Sequence, residues 1–96
     1  MSEKIEVENV NLPGQIARVD AVKYAAAKKA LIAILPNQQP GLTQSEIMEA
    51  IKIEIDQTLF PGGAKSGWWM KTVQLDLEAK EQIRRISGKP LRWVLT

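Results

Sequence analysis

The chain begins with apolar and charged residues in alternation. Ile5 and Val7 are flanked by lysine and glutamate, which is the period of a strand with one buried face. Residues 11–14 contain a proline followed by a glycine, a pair that favours a reversal of the chain, and Ile16 resumes the apolar pattern. Residues 1–19 are therefore predicted to form an extended or hairpin segment.

The apolar pattern then changes to the spacing of helices. Asp20 is placed to cap a first helix, because its carboxylate can accept a hydrogen bond from a free amide of the first turn. Pro36 ends this helix near Leu35, since the residue before a proline avoids the helical conformation. Thr43 and Glu46 have the spacing of a capping box, and isoleucines recur every four residues after them. A second helix is predicted there.

A third helix follows a break of one proline and two glycines at residues 61–63. Ser66 is expected to cap this helix, which extends to about residue 81. Two strand-like stretches, residues 83–87 and 91–95, flank a Gly-Lys-Pro turn. They predict a C-terminal β-hairpin.

Helix three has two distinct predicted faces at about 100° per residue. Met70, Val73 and Leu77 fall together on a buried stripe, with Trp69 at its edge. The opposite face carries Trp68, Lys71, Thr72, Leu75, Glu78 and Ala79. The pattern thus points the two adjacent tryptophans in different directions, although tryptophan is usually buried and packing of both rings is an open alternative.

Composition limits the classes of function. The chain has 96 residues, 45% of them hydrophobic, which fits one small domain. No stretch approaches the roughly 18 apolar residues that span a bilayer, and no targeting signal is recognisable, so a cytoplasmic protein without a membrane partner is expected. Cysteine and histidine are absent, which removes disulfides, the usual zinc ligands and histidine-dependent nucleophiles. No catalytic residue, metal, cofactor or small-molecule ligand is predicted, and the chain is not expected to be an enzyme.

Charge is distributed unevenly along the chain. Residues 1–56 carry six Lys/Arg and eight Asp/Glu, a balance of −2, whereas residues 57–96 carry seven and three, a balance of +4. The C-terminal part is therefore the basic end, which favours an anionic partner there.

The stretch LFPGGAKSGWWMKT at residues 59–72 superficially suggests a phosphate-binding loop. That motif requires glycine directly before the Lys-Ser pair and another glycine five residues earlier. Ala64 and Leu59 occupy those positions, so the stretch is interpreted as a turn and a helix start. Lys65 and Ser66 are still placed where a helix N-terminus attracts phosphate.

The end of the chain, LEAKEQIRRISGKPLRWVLT, resembles the end of a winged helix-turn-helix domain. The residues that carry the resemblance are Leu77, Glu78, Ile83, Arg84 and Arg85, with Gly88, Lys89 and Pro90 at the tip of the wing. The resemblance covers residues 20–96 and implies a mainly α domain of three helices and a C-terminal β-hairpin wing, to which residues 1–19 add a β-segment. The whole chain also resembles a family of short, uncharacterised bacterial proteins.

Two functions are open at this point. The resemblance implies DNA binding, as in a transcriptional regulator, through helix three and the wing, with Lys71, Thr72 and Gln74 offering polar groups to bases. The candidate DNA-binding residues are Lys65, Ser66, Lys71, Thr72, Arg84, Arg85, Lys89 and Arg92. The alternative is a protein-interaction or dimerisation module that uses Trp68 and Leu75. DNA binding is favoured slightly because the basic end coincides with the wing, although charges on a hairpin edge also protect it from aggregation.

Overall fold

The computed structural model describes residues 3–96; of the predicted N-terminal segment, residues 1 and 2 lie outside it. The elements in chain order are β1 (Lys4–Glu8), β2 (Ile16–Asp20), α1 (Ala21–Ile34), β3 (Leu42–Thr43), α2 (Gln44–Glu54), a 3-10 turn (Pro61–Gly63), α3 (Ser66–Ala79), β4 (Ile83–Ile86) and β5 (Arg92–Leu95). The three helices and the C-terminal hairpin occur where they were predicted.

Two small antiparallel sheets accompany the helices. β1 and β2 form the N-terminal hairpin, and β3, β5 and β4 form a three-stranded sheet in that order. With 45% of residues helical and 21% in strands, the fold is a compact α/β fold, and the prediction of a mainly α fold is wrong. β3 was not predicted, because two residues carry no periodicity of their own; it forms by pairing Leu42 with Trp93 and Thr43 with Arg92.

The N-terminal hairpin is confirmed and packs on α3. Val7 and Val19 are its buried side chains. The backbone N–H of Glu8 donates a 2.8 Å hydrogen bond to Oδ1 of Asp76, a fully buried residue of α3. The same carboxylate accepts bonds from the Tyr24 hydroxyl and from Nζ of Lys80. The Asp76 carboxylate therefore joins the hairpin to the helices, in addition to its two buried valines.

Two of the predicted helix starts are confirmed. Asp20 accepts a 3.0 Å hydrogen bond from the Lys23 N–H at the start of α1. Thr43 and Glu46 form a complete capping box at the start of α2. The hydrogen bond that the Thr43 backbone N–H donates to the Glu46 carboxylate, and then the interaction with the Thr43 side chain, hold the pKa of the Glu46 carboxyl below its usual range, because they favour the charged form.

The predicted cap of α3 is wrong. Lys65 occupies the cap position in a left-handed conformation, with φ of 62°, and no side chain caps the helix. Ser66 is instead the first helical residue and is buried. At its other end α3 stops at Ala79. Just beyond it, Glu81 adopts a φ of 61°, and the Gln82 N–H donates a hydrogen bond to the Leu77 carbonyl. This is the pattern that commonly closes helices, with glutamate in the place of the usual glycine.

The core lies between the three helices and one face of the three-stranded sheet. The predicted stripe of α3 is confirmed: Met70, Val73 and Leu77 are fully buried. Gly41 brings the loop before β3 against β5. A Cβ at this position would lie 2.5 Å from the Trp93 carbonyl oxygen and 2.8 Å from Cγ1 of Val94, so only glycine allows the close approach.

Candidate functional site

The two adjacent tryptophans of α3 point in different directions, as predicted. Trp69 is 7% exposed and packs in the core, with its ring centroid 6.1 Å from that of Phe60. Trp68 is 58% exposed. The two indoles meet edge to face with centroids 5.0 Å apart. Packing of both rings in the interior is therefore wrong for Trp68, whose ring lies at the surface beside that of its neighbour.

The outward side of α3 lies between two hairpins. On one side a groove of about 220 Å³ separates α3 from the N-terminal hairpin; we call it the hairpin-side groove. Trp68, Thr72 and Leu75 form its helical wall, and Leu12 and Ile16 contribute exposed apolar side chains from the hairpin. Thr72 and Leu75 are half-buried here. Thr72, one of the predicted DNA-binding residues, therefore faces the groove between α3 and the N-terminal hairpin.

A larger groove of about 580 Å³ lies on the other side of α3, between this helix, the start of α2 and the C-terminal hairpin; we call it the sheet-side groove. Its apolar lining comes from Met48, Met70, Leu75, Leu91 and Trp93. Leu75 lines both grooves. The two grooves therefore lie on either side of one continuous part of the surface of α3, which we call its exposed strip.

Exposed apolar side chains concentrate around this strip. Within residues 3–96, eight large hydrophobic side chains are exposed. Five of the eight line one of the two grooves: Leu12, Ile16, Met48, Trp68 and Leu91. Only Trp68 among them was singled out from the sequence. The other four lie in loops, in a hairpin strand and on the side of α2, where no helical or strand period distinguishes an exposed apolar residue from a buried one.

Arg85 is committed to partners within the chain. Its Nη2 lies 3.2 Å from Oε2 of Glu78, and its guanidinium lies 5.6 Å from the centroid of the Trp93 ring. Glu78 also accepts a 2.7 Å hydrogen bond from Nε1 of Trp93. Trp93 is thus bonded to α3. The Glu78 carboxylate balances much of the charge of Arg85, so Arg85 would attract a phosphate less strongly.

The other predicted DNA-binding residues divide into two groups. Arg92 is held by Glu46 and by the Gly41 carbonyl, at 3.4 and 3.2 Å from its Nη1, and Ser66 is buried. Among the predicted DNA-binding residues, the exposed cations for which the described part of the chain provides no ion pair are Lys65, Lys71, Arg84 and Lys89. Lys71 lines the sheet-side groove, and Lys89 precedes Pro90 at its rim.

Gln74 is not available to read bases. It is 3% exposed and donates a 3.2 Å hydrogen bond to Oε1 of Gln44. Its own oxygen is buried without a hydrogen-bond partner. Both glutamines line the sheet-side groove, so the wall of this groove contains an unsatisfied acceptor.

Metal-binding clusters and membrane-spanning helices are both absent from residues 3–96. No three acidic side chains in that range come together as a metal ion would require. No helix in the same range has the length and apolar character to cross a bilayer.

The chain matches one family model. The model is described as "Family of unknown function (DUF6958)", and it covers residues 4–93. No curated protein and no solved structure matches the chain.

Proposed function

We propose a function for a chain that belongs to this family of unknown function: it is a binding protein rather than an enzyme, and it binds another polypeptide across the outward face of α3. The scaffold we propose is a winged helix-turn-helix. Three helices followed by the β4–β5 hairpin support this assignment, and the hairpin is joined to the start of α2 through β3. In this scaffold α3 is the recognition helix and β4–β5 is the wing.

The exposure of Trp68 carries the proposal. An indole with 58% of its surface in water is costly to maintain, and Trp68 is one of five exposed apolar side chains around one helix. Apolar groups gathered in this way mark interaction surfaces, whereas single ones do not. Tryptophan is also among the residues that most often contribute the largest share of binding energy at protein interfaces.

The surroundings of α3 favour a polypeptide partner over a DNA groove. The N-terminal hairpin and the wing flank the helix, so its exposed strip is recessed between them. Of the three polar side chains expected to read bases, Thr72 is half-buried and Gln74 is buried, and only Lys71 is exposed. Of the wing arginines, Arg85 and Arg92 are paired with Glu78 and Glu46.

The experiment compares Trp68→Ala with a matched control, Ile53→Ala. Ile53 is the most exposed large apolar side chain within residues 3–96 and lines neither groove. Wild-type protein is used to select a random-peptide display library, and its self-association is measured by sedimentation. We expect peptides, or a second copy, to bind wild type and Ile53→Ala equally and to lose binding to Trp68→Ala. Wild-type protein that selects no peptide and stays monomeric would overturn the proposal.

A second function, DNA binding, is supported by one observation. Lys65, Lys71 and Lys89 are exposed without ion pairs within residues 3–96, at the start of α3, on its exposed strip and at the wing tip, and the sequence pI is about 9.0. Such cations chiefly contact phosphates, which position a protein on a duplex without reading its sequence. Duplex affinity would then fall with salt, and each lysine removed would reduce the slope by about one. Absence of binding to micromolar duplex at low salt would count against it.

A further inference from the structure

The two grooves beside α3 differ in charge. The sheet-side groove is lined by the unpaired Lys71, by Arg85, whose charge is paired with Glu78, and by no acidic residue. The hairpin-side groove is lined by Glu8 and by no cation. Lys89, an exposed cation without an ion pair in residues 3–96, directly precedes Pro90, which lines the sheet-side groove. The larger groove is therefore the positive one.

The floor of the sheet-side groove is apolar and adaptable. Met48 and Met70 line it from α2 and α3, and Leu91 closes it from the wing. Gly67 lets Met48 lie close to α3, since a Cβ at residue 67 would come within 3.2 Å of the Met48 Cε. Methionine side chains rearrange easily, which suits them to surfaces that receive apolar side chains of varying shape.

The same groove offers a polar anchor to a polypeptide. The Gln74 oxygen has no donor in the free chain, and burying such an acceptor unpaired is unfavourable. Because this oxygen is itself buried and the amide bonds to Oε1 of Gln44, the accessible polar groups of the groove are those at the start of α2. These are Thr43 and Ser45, which line the groove as well.

We infer that the sheet-side groove receives a partner polypeptide segment in which apolar side chains alternate with or adjoin aspartate and glutamate. The inference rests on the proposed function and names the chemistry of the partner. The apolar floor accepts the hydrophobic side chains, and the unpaired lysines at the rim meet the carboxylates. Opposite charge across an interface chiefly sets which partner is chosen and how fast it associates.

The test is a charge reversal, Lys71→Glu/Lys89→Glu. Its control, Lys29→Glu/Lys52→Glu, makes the same change in net charge at exposed lysines that line neither groove. Each protein is used separately to select a random-peptide display library, and the selected peptides are sequenced. We expect wild type and control to enrich acidic and apolar residues together, and the reversed variant to enrich basic ones.

Affinity gives a second measurement. A synthetic peptide selected by wild type should bind Lys71→Glu/Lys89→Glu about tenfold more weakly or worse, from rim ion pairs of up to about 1 kcal/mol each together with the repulsion that replaces them. The control variant should bind it as wild type does, and added salt should weaken binding.

The outcomes separate this inference from the proposed function. Selected peptides that lose binding to Trp68→Ala but carry no acidic residues would overturn the inference and leave the function standing. Equal loss of affinity in the charge-reversed variant and in the control would also overturn the inference alone. A protein that binds only a second copy of itself, and no peptide, would overturn the inference alone as well. If wild type selects no peptide and does not self-associate, both are wrong.

Discussion

The hydroxyl of Tyr24 donates a hydrogen bond to Oδ2 of Asp76, so that α1 and α3 are joined by polar side chains inside an apolar core. Asp76 also accepts from the Glu8 N–H at 2.8 Å and forms an ion pair with Lys80 at 3.0 Å. One carboxylate therefore holds the N-terminal hairpin and two helices, and it places the hairpin beside the exposed strip of α3.

Asp76→Ala should destabilise the protein by about 3–5 kcal/mol, because removing one member of a buried charged network leaves the others unpaired. Urea denaturation measures the change. Glu49→Ala is the control: its only ion pair in the described range is an exposed one with Lys52, at 3.7 Å, and it should cost less than about 1 kcal/mol. A loss for Asp76→Ala as small as that of the control would show that the network does not stabilise the fold.

Tyr24 should make the protein sensitive to alkali. Burial first, and then the hydrogen bond to Asp76 and its negative charge, raise the pKa of Tyr24 well above its ordinary value. The folded state thus favours the neutral phenol. Its contribution is fully present below about pH 10, the pKa in the unfolded chain, and falls by up to about 1.4 kcal/mol per pH unit above it. Urea denaturation from pH 9 to 11 should show a shallower decline for Tyr24→Phe. Equal slopes would contradict the assignment.

The two tryptophans should differ in their effect on stability. Trp69→Ala removes a core ring and should cost about 3–5 kcal/mol, whereas Trp68→Ala removes a largely exposed one and should cost about 1 kcal/mol or less. Thermal unfolding of both variants measures the difference. A Trp68→Ala variant as unstable as Trp69→Ala would mean that Trp68 supports the fold, and its binding phenotype could not then be interpreted.

Gly41 and Gly62 offer a matched pair of substitutions. Both residues have positive φ, 80° and 62°, so alanine introduces backbone strain of about 1–2 kcal/mol at each. An added Cβ meets nothing within 4 Å at residue 62 but collides with Trp93 and Val94 at residue 41. We expect Gly41→Ala to be the more destabilising by at least about 1 kcal/mol in chemical denaturation. Equal costs would indicate that the loop before β3 can move away from β5.

Features set by neighbours in the sequence were predictable. The capping box of Thr43 and Glu46 needs only a spacing of three residues, and the opposite directions of Trp68 and Trp69 follow from the helical period. Both are present in the structure. Ser66 shows where local chemistry fails: its hydroxyl suits a cap, but packing buries it and leaves the cap position to Lys65.

Features set by distant partners were not predictable. The sequence shows that Arg85 is a cation in a basic stretch. It does not show that the turn after α3 brings this arginine to Glu78 and Trp93. β3 likewise exists only because Leu42 meets Trp93, 51 positions further on. The grooves depend on how the hairpins and helices pack together. The sequence around Met48 and Leu91 therefore does not indicate that these residues lie beside α3.

Thr43 belongs to two elements at once: it pairs with Arg92 in the sheet and caps α2, while Glu46 bonds to both Thr43 and Arg92. The C-terminal hairpin therefore cannot separate from the rest of the molecule without also fraying the first turn of α2. Amide protons of that turn and of β5 should therefore exchange with solvent in the same opening event, so that the hairpin and the helix start open as one unit.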